Sequence, residues 1–126
     1  MNLEDFQKYK DFYKTIVQVH CPYLKDNINF NSKGWGHLIR KGKTFRPAKD
    51  IQRRVLQLEN AVEVLKLSGT IQEKEIIIQT EYSISFLGFI AIINDSKIKV
   101  IIRKDNDGQY YFYSVMTDYI TSVKRD

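Results

Sequence analysis

The sequence predicts an α+β domain, with N-terminal helices packed on one face of an antiparallel sheet of about four strands. Two observations predict it. Up to Gly69 apolar residues recur at every third or fourth position, and beyond it they alternate with a period of two. The second half is also rich in β-branched and aromatic residues and is punctuated by turn formers at 94–97 and 105–108. A chain of 126 residues suits one core. The expected organisation is therefore one domain over 1–126, with a helical half at 1–68, a sheet half at 69–118 and a short C-terminal tail at 119–126.

The first helix is expected from about Leu3 to His20. Asn2 caps it, and Glu4 and Asp5 lie in the first turn, where the helix dipole favours acids. Leu3, Phe6, Tyr9, Tyr13, Ile16, Val17 and His20 form its apolar stripe, and Pro22 stops it. A short helix from about Ser32 to Arg40 follows, capped by Ser32 and weakened by Gly34 and Gly36. Pro47 to Leu67 reads as one helix, with Ile51, Val55, Leu58, Val62 and Leu65 on one face and Gly69 beyond its end. The strands are "EIIIQT", "YSISFLGFIAII", "KIKVIIRK" and "QYYFYSVM"; the first two are either separate strands or one long bulged strand. Asp107-Gly108 is a strong hairpin turn. Centred there, the register pairs Arg103 with Phe112, Ile101 with Ser114 and Lys99 with Met116. Arg103 and Ser114 then share an exposed face, while Ile98, Val100, Ile102, Tyr113 and Val115 meet the helices.

The net charge is +5, and it is local. Lys33, Arg40, Lys41, Lys43, Arg46, Lys49, Arg53 and Arg54 crowd one stretch against the single acid Asp50, and the rest of the chain is slightly acidic. Such a zone is either a solvated helix face or the footprint of a phosphate-binding surface. No apolar run approaches the ~20 residues of a membrane helix, and "MNLEDFQKYK" does not read as a signal peptide. The lone Cys21 has no internal disulfide partner, which fits a reducing compartment or a small buried side chain. His20 beside Cys21 falls short of a zinc ligand set, and neither a phosphate-binding glycine loop of the P-loop type nor an acid cluster for magnesium is present. No cofactor is expected.

His37 sits in "GWGHLI", directly ahead of the cations Arg40, Lys41, Lys43 and Arg46. The stretch "INFNSKGWGHLIRKGKTFRP", the long helix after it and "IKVIIRK...GQYYFYSVM" resemble the phage-associated nucleases of the barnase–EndoU–colicin–RelE superfamily (BECR fold) over about Ile28 to Thr117. Those domains carry a hydrophobic-x-x-x-G-x-x-His-hydrophobic motif before the sheet, then basic residues, and end in a hairpin with a strand cation and a terminal hydroxyl. The resemblance implies His37 as the motif histidine, Arg103 as the strand cation and Ser114 or Thr117 as the hydroxyl. It also implies a ribonuclease, often a toxin of phage, mobile elements or interbacterial competition. The chain departs from the pattern in showing no clear second acid–base group.

The residue types suit that chemistry. Metal-free RNA cleavage needs a base for the 2′-hydroxyl, an acid for the leaving 5′-oxygen and cations for the pentacoordinate phosphate. Histidine titrates near working pH, and the arginine fork matches two phosphate oxygens. We therefore expect His37, Arg46, Arg103 and Ser114 to be catalytic and Arg40, Lys41 and Lys43 to bind RNA backbone. Each has a plainer alternative. His37 packs under the glycines, Arg46 caps the approach to Pro47, Arg103 is a strand cation and Ser114 is polar filler. Trp35 is a base-stacking residue or a core anchor. Tyr110, Tyr111 and Tyr113 include a general acid or a stacking platform, or are strand formers. Glu73, Glu75 and Glu81 are alternative bases. The expected partners are RNA and an acidic inhibitor or antitoxin protein, with no membrane. The expected place of action is the cytoplasm, or that of a target cell after delivery. The competing readings are a non-catalytic nucleic-acid-binding module and a protein-interaction or immunity-type domain.

Overall fold

A computed structural model describes residues 2–69, 76–81, 84–105 and 108–118. The first helix, α1 (Leu3–Ile16), begins as expected, with the Asn2 side chain accepting from the Asp5 amide at 2.8 Å. It ends earlier than expected. Val17 takes a positive φ of 59°, its carbonyl accepts from the Phe30 amide at 2.8 Å, and the chain turns into β1 (Gln18–Cys21). Tertiary pairing overrides the helical period here. β1 joins β2 (Asp26–Asn29) in a hairpin that buries Val19, Cys21 and Ile28. His20, expected on the helix stripe, is instead exposed, with Nδ1 3.2 Å from Asn27 Oδ1.

The second helix, α2 (Ser32–Ile39), lies where expected, but its cap is Asn31, whose side chain accepts from the Gly34 amide at 3.1 Å. A two-stranded hairpin follows, β3 (Arg40–Lys41) with β4 (Thr44–Phe45), turning on Gly42 at φ 66°. The expected helix over Pro47–Leu67 is two helices, α3 (Ala48–Val55) and α4 (Leu58–Lys66). The break at Leu56 and Gln57 lets two needs be met at once. α4 rotates Leu58, Ala61, Val64 and Leu65 into the core against β1 and the C-terminal strands, and α3 keeps Arg54 on the sheet edge.

The sheet half contains β5 (Ile76–Glu81), β6 (Ile84–Ile93), β7 (Ser96–Lys104) and β8 (Tyr110–Asp118), all antiparallel neighbours. β5 and β6 are thus two strands, paired through Glu81 and Ile84. The expected four-stranded sheet is extended to six by the β1–β2 hairpin, in the order β1-β2-β8-β7-β6-β5, and β2 meets β8 in parallel through Asn29 and Tyr111. The β6–β7 turn carries positive φ at both Asn94 and Asp95, the pattern of a two-residue type I′ hairpin turn. Of the Asp107-Gly108 turn, Gly108 is described, with φ 80°, and Asp107 lies outside the described residues.

The β7–β8 register matches expectation at Ile101–Ser114 and Lys99–Met116 and departs from it closer to the turn. A bulge leaves Tyr113 unpaired, so that Arg103 faces Tyr111 instead of Phe112. The helices cover Leu87, Phe89, Ala91, Ile98, Val100, Ile102, Phe112 and Val115, which with Leu58, Ala61, Val64 and Leu65 form the core. Tyr113, unpaired at the bulge, keeps its ring near Phe86, Arg103 and His37 of α2; bulges commonly re-aim a side chain.

Candidate active site

The end of α2, the β3–β4 hairpin, the end of β7 and the start of β8 converge around an open cleft of about 410 Å³. Its walls carry Lys33, His37, Arg40, Arg103, Asp105 and Tyr111, and Gly36 and Gly42 leave part of the lining without side chains. His37 lies in the last turn of α2, on the flank opposed to the buried Leu38 and Ile39. Its half-buried ring packs on Tyr113, with centroids 4.0 Å apart and planes at 43°. Burial first, and then the charges of Arg103 and Arg46, hold the imidazole below its ordinary pKa, with Asp105 pulling the other way. The ring is therefore kept neutral and able to accept a proton.

Arg103 enters from β7. Its guanidinium lies 5.6 Å from the Phe86 ring and 5.9 Å from the Tyr113 ring, and Nε donates to Asp105 Oδ1 at 2.6 Å. Burial works against its charge, but Asp105, Tyr111 and Tyr113 more than offset this and raise its pKa. Lys33 Nζ approaches the same carboxylate at 3.8 Å and hangs 5.5 Å from the Tyr111 ring centroid. Asp105 thus sits between two cations, in the kind of place a phosphate oxygen would take.

Arg46 does not line the cleft. It stands behind His37, its Nε donating to the His37 carbonyl at 3.1 Å and its Nη1 meeting Asp50 Oδ2 at 3.3 Å. Asp50 also accepts from Arg53 Nη2 at 3.1 Å and from Arg54 Nε at 3.2 Å. Burial opposes the Asp50 charge, and the three arginines outweigh it, so that its carboxyl stays below the ordinary range.

Ser114, expected to face solvent beside Arg103, is 4% exposed. β2 pairs with β8 at Tyr111, and further along Arg54 reaches that edge from α3. Arg54 Nη1 donates to Ser114 Oγ at 2.7 Å and to the Val115 carbonyl at 3.4 Å. Ser114 is therefore bound to Arg54 and is absent from the lining of the His37 cleft. Lys41 and Lys43 are exposed on the β3–β4 hairpin, outside that lining.

His37, Arg103 and Arg40 are thus gathered in one place, with Arg46 in support. Trp35 is a core anchor, packed edge-on to Phe6 and against Tyr13. Tyr110 stacks under Lys104, with 5.0 Å from Nζ to the centroid. Asp105 was legible in the sequence as a turn former, and nothing in its spacing marked it as the partner of Arg103. Glu73 and Glu75 lie outside the described residues, as does the Glu81 side chain. Cys21 Sγ is buried 3.2 Å from Ser68 Oγ. Among the described residues no three His, Cys, Asp or Glu side chains gather as a metal cage, and no helix is long and apolar enough to cross a membrane. No protein family, curated protein or solved structure matches this chain.

Proposed function

We propose that this chain is a small metal-independent endoribonuclease that cleaves RNA by acid–base transesterification. The observation that carries the reading is the meeting of an imidazole held neutral with the Arg103 guanidinium across one open, cation-lined cleft. His37 takes the 2′-hydroxyl proton, and the 2′-oxygen attacks phosphorus. Arg103, Arg40 and Lys33 balance the charge that builds on the phosphate oxygens. The 5′-oxygen leaves with a proton, which we assign to Tyr111, a residue of the same cleft lining. The products are a 2′,3′-cyclic phosphate and a 5′-hydroxyl. Arg46 acts as a positioning residue by holding the His37 carbonyl.

A toxin-like role of phage or mobile-element origin accords with the resemblance of "GWGHLI" and the strand cation to such nucleases. On this reading the domain acts in the cytoplasm of its own or a target cell. An acidic inhibitor protein suits a cleft of this charge.

The test is cleavage of RNA by the purified chain in EDTA, with the product ends identified. His37→Ala is expected to lower the rate by about 10²- to 10⁴-fold with an unchanged circular dichroism spectrum. Equal cleavage by parent and variant removes His37 from the mechanism.

One observation favours a second reading, a nucleic-acid-binding module without catalysis. Asp105 already engages Arg103 and Lys33. Salt-sensitive RNA binding with no cleavage product at any pH decides for that reading.

A further inference from the structure

Every residue of the β3–β4 hairpin from Arg40 to Phe45 is exposed, including an aromatic ring. Phe45 is 66% exposed, the most exposed large apolar side chain among the described residues. Its cross-strand partner is Arg40, whose guanidinium stands 4.8 Å from the ring centroid. The hairpin is anchored at its base, where the Arg46 amide donates to the Ile39 carbonyl at 2.8 Å, and it contributes nothing to the core. A phenyl ring left in water forgoes the stabilisation of burial, and here the Arg40 guanidinium is the group that stands over it. Arg40 and Gly42 belong to the lining of the His37 cleft, so the hairpin that presents Phe45 is also a wall of that cleft.

We propose that Phe45, backed by Arg40, is a stacking platform for an unpaired nucleobase of single-stranded RNA, one step along the strand from the phosphate held at His37. The inference rests on the ribonuclease reading and adds the substrate class to it. Arg40 stacks on the phenyl ring, and the remaining exposed ring surface receives the base. Lys41 and Lys43 on the same hairpin meet the neighbouring phosphates. Every base has a π-face, so the platform tolerates sequence. A duplex keeps its bases inside its own stack and offers none to the ring. Three of the hairpin's six residues, Arg40, Lys41 and Lys43, are cations, which matches a polyanion threaded past the ring.

The test is fluorescence anisotropy with His37→Ala chain, so that the probe survives. Three probes are used: a labelled oligouridylate, a fully paired RNA duplex, and a base-free ribose-phosphate oligomer of the same length. Phe45→Ala in that background is expected to bind the single strand about tenfold more weakly and to bind the duplex and the base-free oligomer as before. Phe45→Trp is expected to retain single-strand binding. Thermal melts check that each variant is folded. An unchanged single-strand affinity in Phe45→Ala, with Lys41→Gln still weakening it, overturns the platform and leaves the nucleic-acid reading standing. Equal losses on all three probes overturn it too, since that is a loss of charge attraction. No RNA binding by any form overturns both. Selective loss in a chain whose parent cleaves nothing supports the platform and removes the catalysis.

Discussion

The His37 and Tyr113 rings lie 4.0 Å apart because β8 carries one residue more than β7 can pair. The bulge leaves Tyr113 without a partner on β7, and its ring packs on His37 of α2. The imidazole also stands in the field of Arg103. Two consequences follow for pH. Below the ordinary value of 6.5 the unfolded chain takes up a proton that the folded chain resists. Stability is therefore expected to fall as pH drops through 6.5 and to level off once the folded imidazole is charged as well. The acid limb of kcat/KM is expected below 6.5. Arg103→Gln should move the His37 titration up and Asp105→Asn should move it down, because these neighbours act on it with opposite sign. Proton NMR titration of His37, in a His20→Gln chain to leave one imidazole signal, reads both. A limb that ignores both substitutions assigns the titration to another group.

Arg46 and the hairpin lysines are separated by a salt titration. The Arg46 side chain is 14% exposed and its fork is engaged by the His37 carbonyl and Asp50. Arg46→Ala is expected to destabilise the fold by about 2–3 kcal/mol, because it strands a carbonyl and one of the contacts of a half-buried carboxylate. It should leave the salt dependence of RNA binding unchanged. Lys41→Gln and Lys43→Gln should leave the melting temperature alone, and each should reduce the slope of log affinity against log salt by about 0.7. The reverse pattern would make Arg46 the phosphate contact.

The division into helices and sheet was legible because the apolar period changes at Gly69, and the site histidine was legible because a cationic run follows it. Illegible were the places where tertiary contact decides. Val19 and His20 read as the end of the first helix, and only the pairing of Val19 with Ile28 makes that segment a strand. The Pro47–Leu67 stripe is continuous in sequence, yet the break at Leu56 rotates Ala61 and Val64 inward where the stripe pointed to Val62. Ile101 and Ser114 pair as the turn residues dictate, and the bulge next to them carries no sequence signal. It decided which aromatic reached His37. Asp105 was hidden for a similar reason. A turn aspartate is common, and its partnership with Arg103 depends on the side chains of both converging at the end of β7.

Val17 stores backbone strain at the α1–β1 junction. It is β-branched, 63% exposed and held at φ 59°, a region that costs such residues about 1–3 kcal/mol. Its side chain offers little burial in return. Val17→Gly is expected to raise stability by about 1 kcal/mol, since relief of the strain exceeds the extra chain entropy that glycine brings. Urea unfolding at fixed pH measures it. A destabilised variant would mean that the contacts of the valine side chain outweigh the strain of its backbone.

The two glycines of "GWGHLI" look alike in the sequence and are expected to respond with opposite sign. A Cβ at Gly34 would run into the Phe112 carbonyl and the Tyr13 hydroxyl. The first is backbone in β8. The second is fixed by its hydrogen bond to the Asn31 carbonyl at 2.8 Å, and burial holds its proton well above the ordinary tyrosine range. Neither can yield without parting α2 from the sheet. Gly34→Ala is therefore expected to cost about 3 kcal/mol and, by lifting α2, to displace His37 and depress cleavage. At Gly36 a Cβ meets nothing within 4 Å and the residue is helical, so Gly36→Ala is expected to stabilise by about 0.5–1 kcal/mol. Because that methyl group enters the cleft lining, the variant also measures how closely RNA approaches α2. A raised KM with unchanged kcat marks contact there, and unchanged kinetics place the strand nearer the β3–β4 wall. Shifts of opposite sign for the pair test the packing of α2 on β8. Loss of stability in both variants would show that the helix requires glycine at both sites for a reason other than the approach of Phe112.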